Sequence, residues 1–273
     1  MSRLLIGTYC RELISRGHLL DYGFKTSDMS RPLQSESHSC EPQVSSNEIL
    51  SEPAAPIAEC HPLANLEPQI DQLRMTGAMF YTRGWSVGTS SNYSVVLNAD
   101  PLELLVTASG KDKGRLARTD FVRVAADGQP AAPNQLKSSA ETLLHVVVAS
   151  ARPAGAILHT HSPWATELTQ LYGDRGGIDF EGYEMLKGLE GIKTHEHRFR
   201  FEIFENTQDV SMLADQVRRR LTDADNPLQY GFLIRGHGLY TWGQDVDEAR
   251  RHVEVLEFLL ECKARRIQLT GKL

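Results

Sequence analysis

Ala154-Gly-Ala-Ile-Leu-His159-Thr-His161-Ser-Pro-Trp164 changes character twice within a few residues. Ala154 to His161 is a short, unbroken apolar run that ends in polar residues, the pattern of a strand covered on both faces. Ser162-Pro163 then supplies a capping hydroxyl and a first-turn proline, so a helix is expected over Trp164 to Tyr172. The two imidazoles stand two residues apart at the strand's end and therefore project from the same face. That is a chelating arrangement. Zinc accepts neutral imidazole nitrogen, and catalytic zinc sites usually keep three protein ligands with one position open.

The third ligand is expected at His237, in Ile234-Arg-Gly-His237-Gly, where glycines on both sides let the chain turn tightly after a strand and present the ring. A single histidine taken alone reads as a surface or hydrogen-bonded core residue. An H-x-H strand end together with a glycine-flanked histidine reads as a metal site. The competing pair His195-Glu196-His197 has the same spacing, but Lys193, Arg198 and Arg200 surround it, no apolar strand precedes it, and those cations disfavour a dication. It is read as surface.

Working outward, Leu66, Ile70, Leu73, Gly77 and Phe80 recur at helical spacing after Pro68. Tyr93–Leu97, Leu102–Thr107 and Phe121–Val124 read as strands separated by turn-rich segments. Thr142–Ala149 carries a helical apolar face. Phe199–Phe204, Tyr230–Ile234 and Gly238–Trp242 read as further strands, with a helix over Val210–Leu221. The last helix opens at Asp245, with Glu248 three residues on, and runs to about Ile267. This is an α/β pattern with a mixed, largely antiparallel sheet flanked by helices.

From Thr26 to His61 the chain is crowded with Ser, Pro and Glu and nearly lacks large apolar residues, so it cannot offset the entropy of ordering. Residues 1–65 are read as an extension, largely disordered, and 66–273 as the catalytic domain. Leu4-Leu5-Ile6 is too short and too interrupted for a secretory leader, and no stretch has the length to span a bilayer. The formal net charge of -6 argues against a nucleic-acid partner. Cys10, Cys40, Cys60 and Cys262 are scattered without metal-site or disulfide-framework spacing, which fits a reducing, cytoplasmic setting.

Two carboxylates are candidates for proton transfer beside a metal. Glu184 lies in Gly182-Tyr-Glu184-Met-Leu-Lys187-Gly188 and Glu141 in Lys137-Ser-Ser-Ala-Glu141, and on spacing alone either reads as an exposed helix-start acid, the commoner fate of glutamate. Three small-residue loops offer N–H groups and hydroxyls to a phosphate: Ser90-Ser91-Asn92, Ser109-Gly110 and Ser138-Ser139. Each alone reads as a plain turn.

Taken in order, Gly84 to Asn92, Thr107 to Lys111, His159-Thr-His161-Ser162, Glu184-Met-Leu-Lys187-Gly188, Glu205 to Asp209 and Arg235-Gly-His237-Gly make the chain resemble the class II aldolase family over about Leu66 to Ile267. The Glu-Met-x-Lys-Gly run resembles, more narrowly, the branch that dehydrates 5-methylthioribulose 1-phosphate in methionine salvage. The resemblance implies a three-layer fold, one zinc ion on His159, His161 and His237, Glu184 as acid/base, and a homotetramer. It implies that Ser90, Ser91, Asn92, Ser109, Gly110, Ser138, Ser139, Glu141 and Lys187 lie near a sugar-phosphate substrate. Glu141 matches the proton-transfer residue of the related aldolases, which keeps carbon–carbon cleavage or 4-epimerisation open, and an adducin-like module without catalysis is the third alternative.

Overall fold

A computed structural model describes residues 56–273, so the extension expected over 1–65 lies outside the described residues up to 55. Nearer the domain, Leu63 is fully buried and the Pro62 carbonyl accepts from Arg123 Nη1 at 3.2 Å, so packing starts a few residues before Leu66. The first helix, α1, spans Glu67–Thr82 and buries Ile70, Leu73, Gly77 and Phe80, the stripe expected from the spacing.

Strands β1 (Asn92–Ala99), β2 (Leu102–Thr107) and β3 (Phe121–Ala125) form an antiparallel meander. Helix α2 (Thr142–Ala151) leads into β4 (Ala156–Thr160), every residue of which is buried. Helix α3 (Pro163–Tyr172) is capped by the Ser162 hydroxyl, which accepts from Ala165 N–H at 3.0 Å. Next come β5 (Gly177–Phe180), β6 (Phe199–Phe204), α4 (Val210–Leu221), β7 (Gly231–Ile234), β8 (Gly238–Gly243) and α5 (Val246–Thr270).

The eight strands form one sheet in the order β3-β2-β1-β4-β8-β7-β6-β5. Every neighbouring pair is antiparallel except β6 and β7, which run parallel because α4 carries the chain back between them. Alternation along the central strands divides the core into two layers. Ile157, Phe232, Ile234, Tyr240 and Trp242 face α2 and α4, where Leu144, Val148, Leu213 and Val217 meet them. Leu158, Leu233 and Leu239 face the other side, where Phe80 of α1, Leu168 of α3 and Leu256 and Leu260 of α5 cover the sheet. The result is helix, sheet, helix, the three-layer α/β architecture expected.

The β3 edge is covered by its own loop. Arg123 donates its N–H to Gln135 Oε1 at 2.8 Å, and its carbonyl accepts from Ala131 N–H at 2.8 Å and from Gln135 Nε2 at 3.0 Å.

Candidate metal centre and substrate cavity

His159 shares the parity of Ile157 and so points to the α2 side of the sheet, its ring stacked 3.9 Å from that of Tyr240. His161 follows where the chain leaves the sheet; its N–H donates to the Trp85 carbonyl at 2.8 Å, which fixes the turn. His237 sits in the tight turn between β7 and β8. Its two glycines serve different needs. Gly236 takes a left-handed conformation, φ 61°, and a Cβ on Gly238 would lie 1.9 Å from the Thr160 carbonyl. Glu141, the residue at which α2 begins, completes the group.

One ligand atom from each of Glu141, His159, His161 and His237 lies within 4.8 Å of all the others. The Nε2 atoms of His161 and His237 are 3.1 Å apart, and Glu141 Oε1 is 3.0 Å from His237 Nε2. Glu141 Oε2 is 3.9 Å from His159 Nε2.

This donor set fits a divalent ion. His159 Nδ1 is 2.8 Å from the Leu239 carbonyl, so the proton resides on Nδ1 and Nε2 carries the free lone pair. That Nε2 is buried and, among the described residues, has no hydrogen-bond partner, which is costly unless a cation satisfies it. Burial, and then the neighbouring imidazoles, hold His159 well below the ordinary histidine range and His161 down at about 4, so both are neutral, the ligating form, at pH 7. Burial pushes the Glu141 carboxyl up, but the hydrogen bond to His237 foremost opposes it, and the group stays well below the usual carboxylate range.

Beside the cluster is a cavity of about 100 Å³ lined by Ser90, Ser91, Asn92, Ser109, Gly110, Ser139, Glu141 and His161. Three loops distant in sequence converge there because the antiparallel register sets Asn92 opposite His159, while Ser109 N–H donates to the Lys137 carbonyl at 2.9 Å. Ser138 pairs with Ala108 as a lone bridge and is not on the cavity wall.

Lys113, which no motif in the sequence marks as a site residue, is buried on the same wall. Its Nζ donates to the carbonyls of Lys111 at 2.7 Å and Thr89 at 3.4 Å, and burial brings it down to about 8. A lysine in a charged loop gives no sign of burial in sequence. The sign that exists is its place three residues after Ser109-Gly110.

Glu184 and Lys187 stand elsewhere, on an exposed single 3-10 turn, Glu184–Gly188. Glu184 Oε2 is 2.6 Å from Lys187 Nζ and Oε1 is 3.2 Å from His195 Nδ1. The Lys187 hydrogen bond foremost, with His195, holds the Glu184 carboxyl below its ordinary value, so it is an ionised base. Glu184 is not among the four clustered ligand groups.

The Class II Aldolase and Adducin N-terminal domain model matches residues 71–264. The methylthioribulose-1-phosphate dehydratase of Marinobacter nauticus is 45% identical over 188 residues, covering 68% of this chain and 88% of the relative. That of Pseudomonas fluorescens is 46% identical over 200 residues, covering 73% and 93%. In structure the chain is similar to the L-fuculose-1-phosphate aldolase of Thermus thermophilus, with a TM-score of 0.58, 21% identity, and coverage of 75% of this chain and 98% of that one. A sugar-phosphate aldolase from Thermotoga maritima gives a TM-score of 0.58 at 18% identity, with 76% and 98% covered. At these identities the two aldolases speak for the fold alone, and the matched domain and the two dehydratases speak for kinship: the chain belongs to the class II aldolase and adducin family, and within it to the methylthioribulose-1-phosphate dehydratases.

Proposed function

We propose that the chain converts 5-methylthioribulose 1-phosphate to 2,3-diketo-5-methylthiopentyl 1-phosphate with loss of water, a step of methionine salvage, using one zinc ion per subunit on His159, His161 and His237. The observation that carries this reading is the buried, partnerless His159 Nε2 facing two more imidazoles beside a hydroxyl-lined cavity, in a chain 45% identical to a relative of that name. The setting is the cytoplasm and the assembly a homotetramer, which sedimentation tests as a mass four times that of the chain.

A bound zinc ion would supply Lewis-acid polarisation of the substrate's C2 carbonyl. The residues supply the rest. Ser90, Ser91, Asn92, Ser109, Gly110 and Ser139 receive the phosphate through hydroxyl, amide and backbone N–H donors, while Lys187 keeps the Glu184 carboxylate ionised. Glu184, ionised beside Lys187, takes the C3 proton and returns a proton to the C4 hydroxyl. The C3–H and C4–O bonds break, a C3=C4 enol forms, and water leaves; the enol then becomes the diketone.

One observation favours a second reading. Glu141, not Glu184, stands within reach of the histidines, as a cleaving aldolase or 4-epimerase would require. Incubating the purified protein with the methylthio ester and, separately, with L-fuculose 1-phosphate separates the two. Diketone formation that is lost in Glu184→Gln, with its zinc retained, is the expected result. Cleavage of fuculose phosphate that survives Glu184→Gln and disappears in Glu141→Gln would overturn it.

A further inference from the structure

The metal cluster does not stand alone behind its ligands. His145, on α2 and fully buried, sends its ring between Ser94 and Asn92 of β1. Its Nδ1 is 2.8 Å from Ser94 Oγ, and its Nε2 makes a short hydrogen bond to Asn92 Oδ1. Asn92 Nδ2 in turn donates to Glu141 Oε2 at 2.7 Å. A carboxylate can only accept, so the amide must offer Glu141 its NH₂ and turn its oxygen to His145. That oxygen can only accept, so His145 must hold its proton on Nε2, and Nδ1 accepts from the Ser94 hydroxyl. One assignment of protons satisfies the whole row.

We infer that His145 is a positioning residue: by holding the Asn92 amide in one orientation, it fixes Glu141 Oε2, which Asn92 binds, and thereby sets Oε1 beside His237 Nε2. The inference rests on the metal-site reading given above. Two further observations fit it. Burial keeps His145 at about 4, so the ring is neutral and can use one nitrogen as donor and the other as acceptor. Ser94 is also fully buried, so no water competes for the ring. Without His145 the amide is free to flip, which would set its oxygen against the carboxylate.

The test is a double-mutant cycle of His145→Phe with Glu141→Gln, read first as zinc affinity by chelator competition and second as kcat/KM for diketone formation. Support for orientation through Asn92 is a loss of about tenfold to a hundredfold for His145→Phe in the native background, the range for groups that orient metal ligands, and less than twofold in the Glu141→Gln background. Equal losses in both backgrounds, or no loss in the native one, would overturn the inference. Should His145→Phe fail to fold, Ser94→Ala takes its place in the cycle, with a several-fold loss expected only where Glu141 is intact. Zinc binding without turnover of the methylthio ester would refute the substrate and leave the cycle on zinc affinity decisive. Failure of the native protein to bind zinc would refute both.

Discussion

Around His237 two glycines carry different burdens, and a methyl group on either one tests a different thing. Gly238→Ala places a carbon 1.9 Å from the Thr160 carbonyl, between His159 and His161. Backbone cannot yield as a flexible side chain would, so we expect a loss of about 2 kcal/mol or more in chemical denaturation, together with weakened zinc binding. At Gly236 the alanine would be forced into the left-handed region, and a Cβ would meet Gln170 Nε2 at 2.4 Å, a mobile side-chain end. There the penalty of about 1 kcal/mol is conformational, and the ligand geometry should survive. Loss of a ligand is harsher: His159→Ala should weaken zinc affinity by more than the roughly hundredfold seen for groups that only orient ligands, measured by chelator competition.

The histidines were readable because spacing on a strand fixes side-chain direction and because glycine neighbours advertise a tight turn. Glu141 was readable only as a candidate. Nothing local separates a carboxylate aimed at imidazoles from one at an ordinary helix start, since its partners lie on β4 and the β7–β8 turn. His145 was not readable at all: one histidine on the apolar face of Thr142–Ala151 looks like core, and its meaning comes from Ser94 and Asn92, some fifty positions earlier in the chain.

Among the elements, those with strong internal signals came through best. Asp245 caps α5 as its sequence suggests: Oδ1 accepts from Glu248 N–H at 2.8 Å, while Glu248 Oε2 accepts from Gln244 N–H at 2.6 Å. Asp245→Ala should cost about 1 kcal/mol, seen as a lower melting temperature without change in zinc stoichiometry. Strand β5 was missed. It has four residues, one of them the exposed Asp179, and it follows directly on Gly173 to Gly176, so neither alternation nor length marks it. What makes it a strand is β6, against which Gly177 to Phe180 pair residue by residue. The strand that carries His159, expected over Ala154 to His161, is also shorter than its sequence suggests. It spans Ala156–Thr160, because His161 N–H turns away from the ladder to the Trp85 carbonyl.

For the molecule as a whole, one pH lever near the cluster is Glu257 of α5. It is fully buried and accepts from Thr160 Oγ1 at 2.8 Å. Burial raises it to about 7. In the unfolded chain the same group titrates near 4.5. Between those values the folded state holds a proton that the unfolded state has released, so stability falls as pH rises through this window. Glu257→Gln carries no such proton, and relative to the native protein it should gain on the order of 3 kcal/mol between pH 4.5 and pH 7.5. Denaturation at several pH values checks this, and a difference that does not change with pH would refute it. Zinc acts on the same balance: at a free concentration a hundred times its dissociation constant it should add about 2.7 kcal/mol, removed again by a chelator.

The loop that folds back on β3 has a consequence for the company this protein can keep. An outer strand ordinarily offers its bare amides as a template on which a stranger's chain can lay itself down. Here Gln135 and Ala131 have already taken both backbone groups of Arg123. Propagation of the sheet from one molecule into the next is therefore blocked at that margin by the protein's own sequence. Cutting the loop between Asp127 and Asn134 would lift the block and invite fibrous aggregation, even with every residue of the metal cluster left in place.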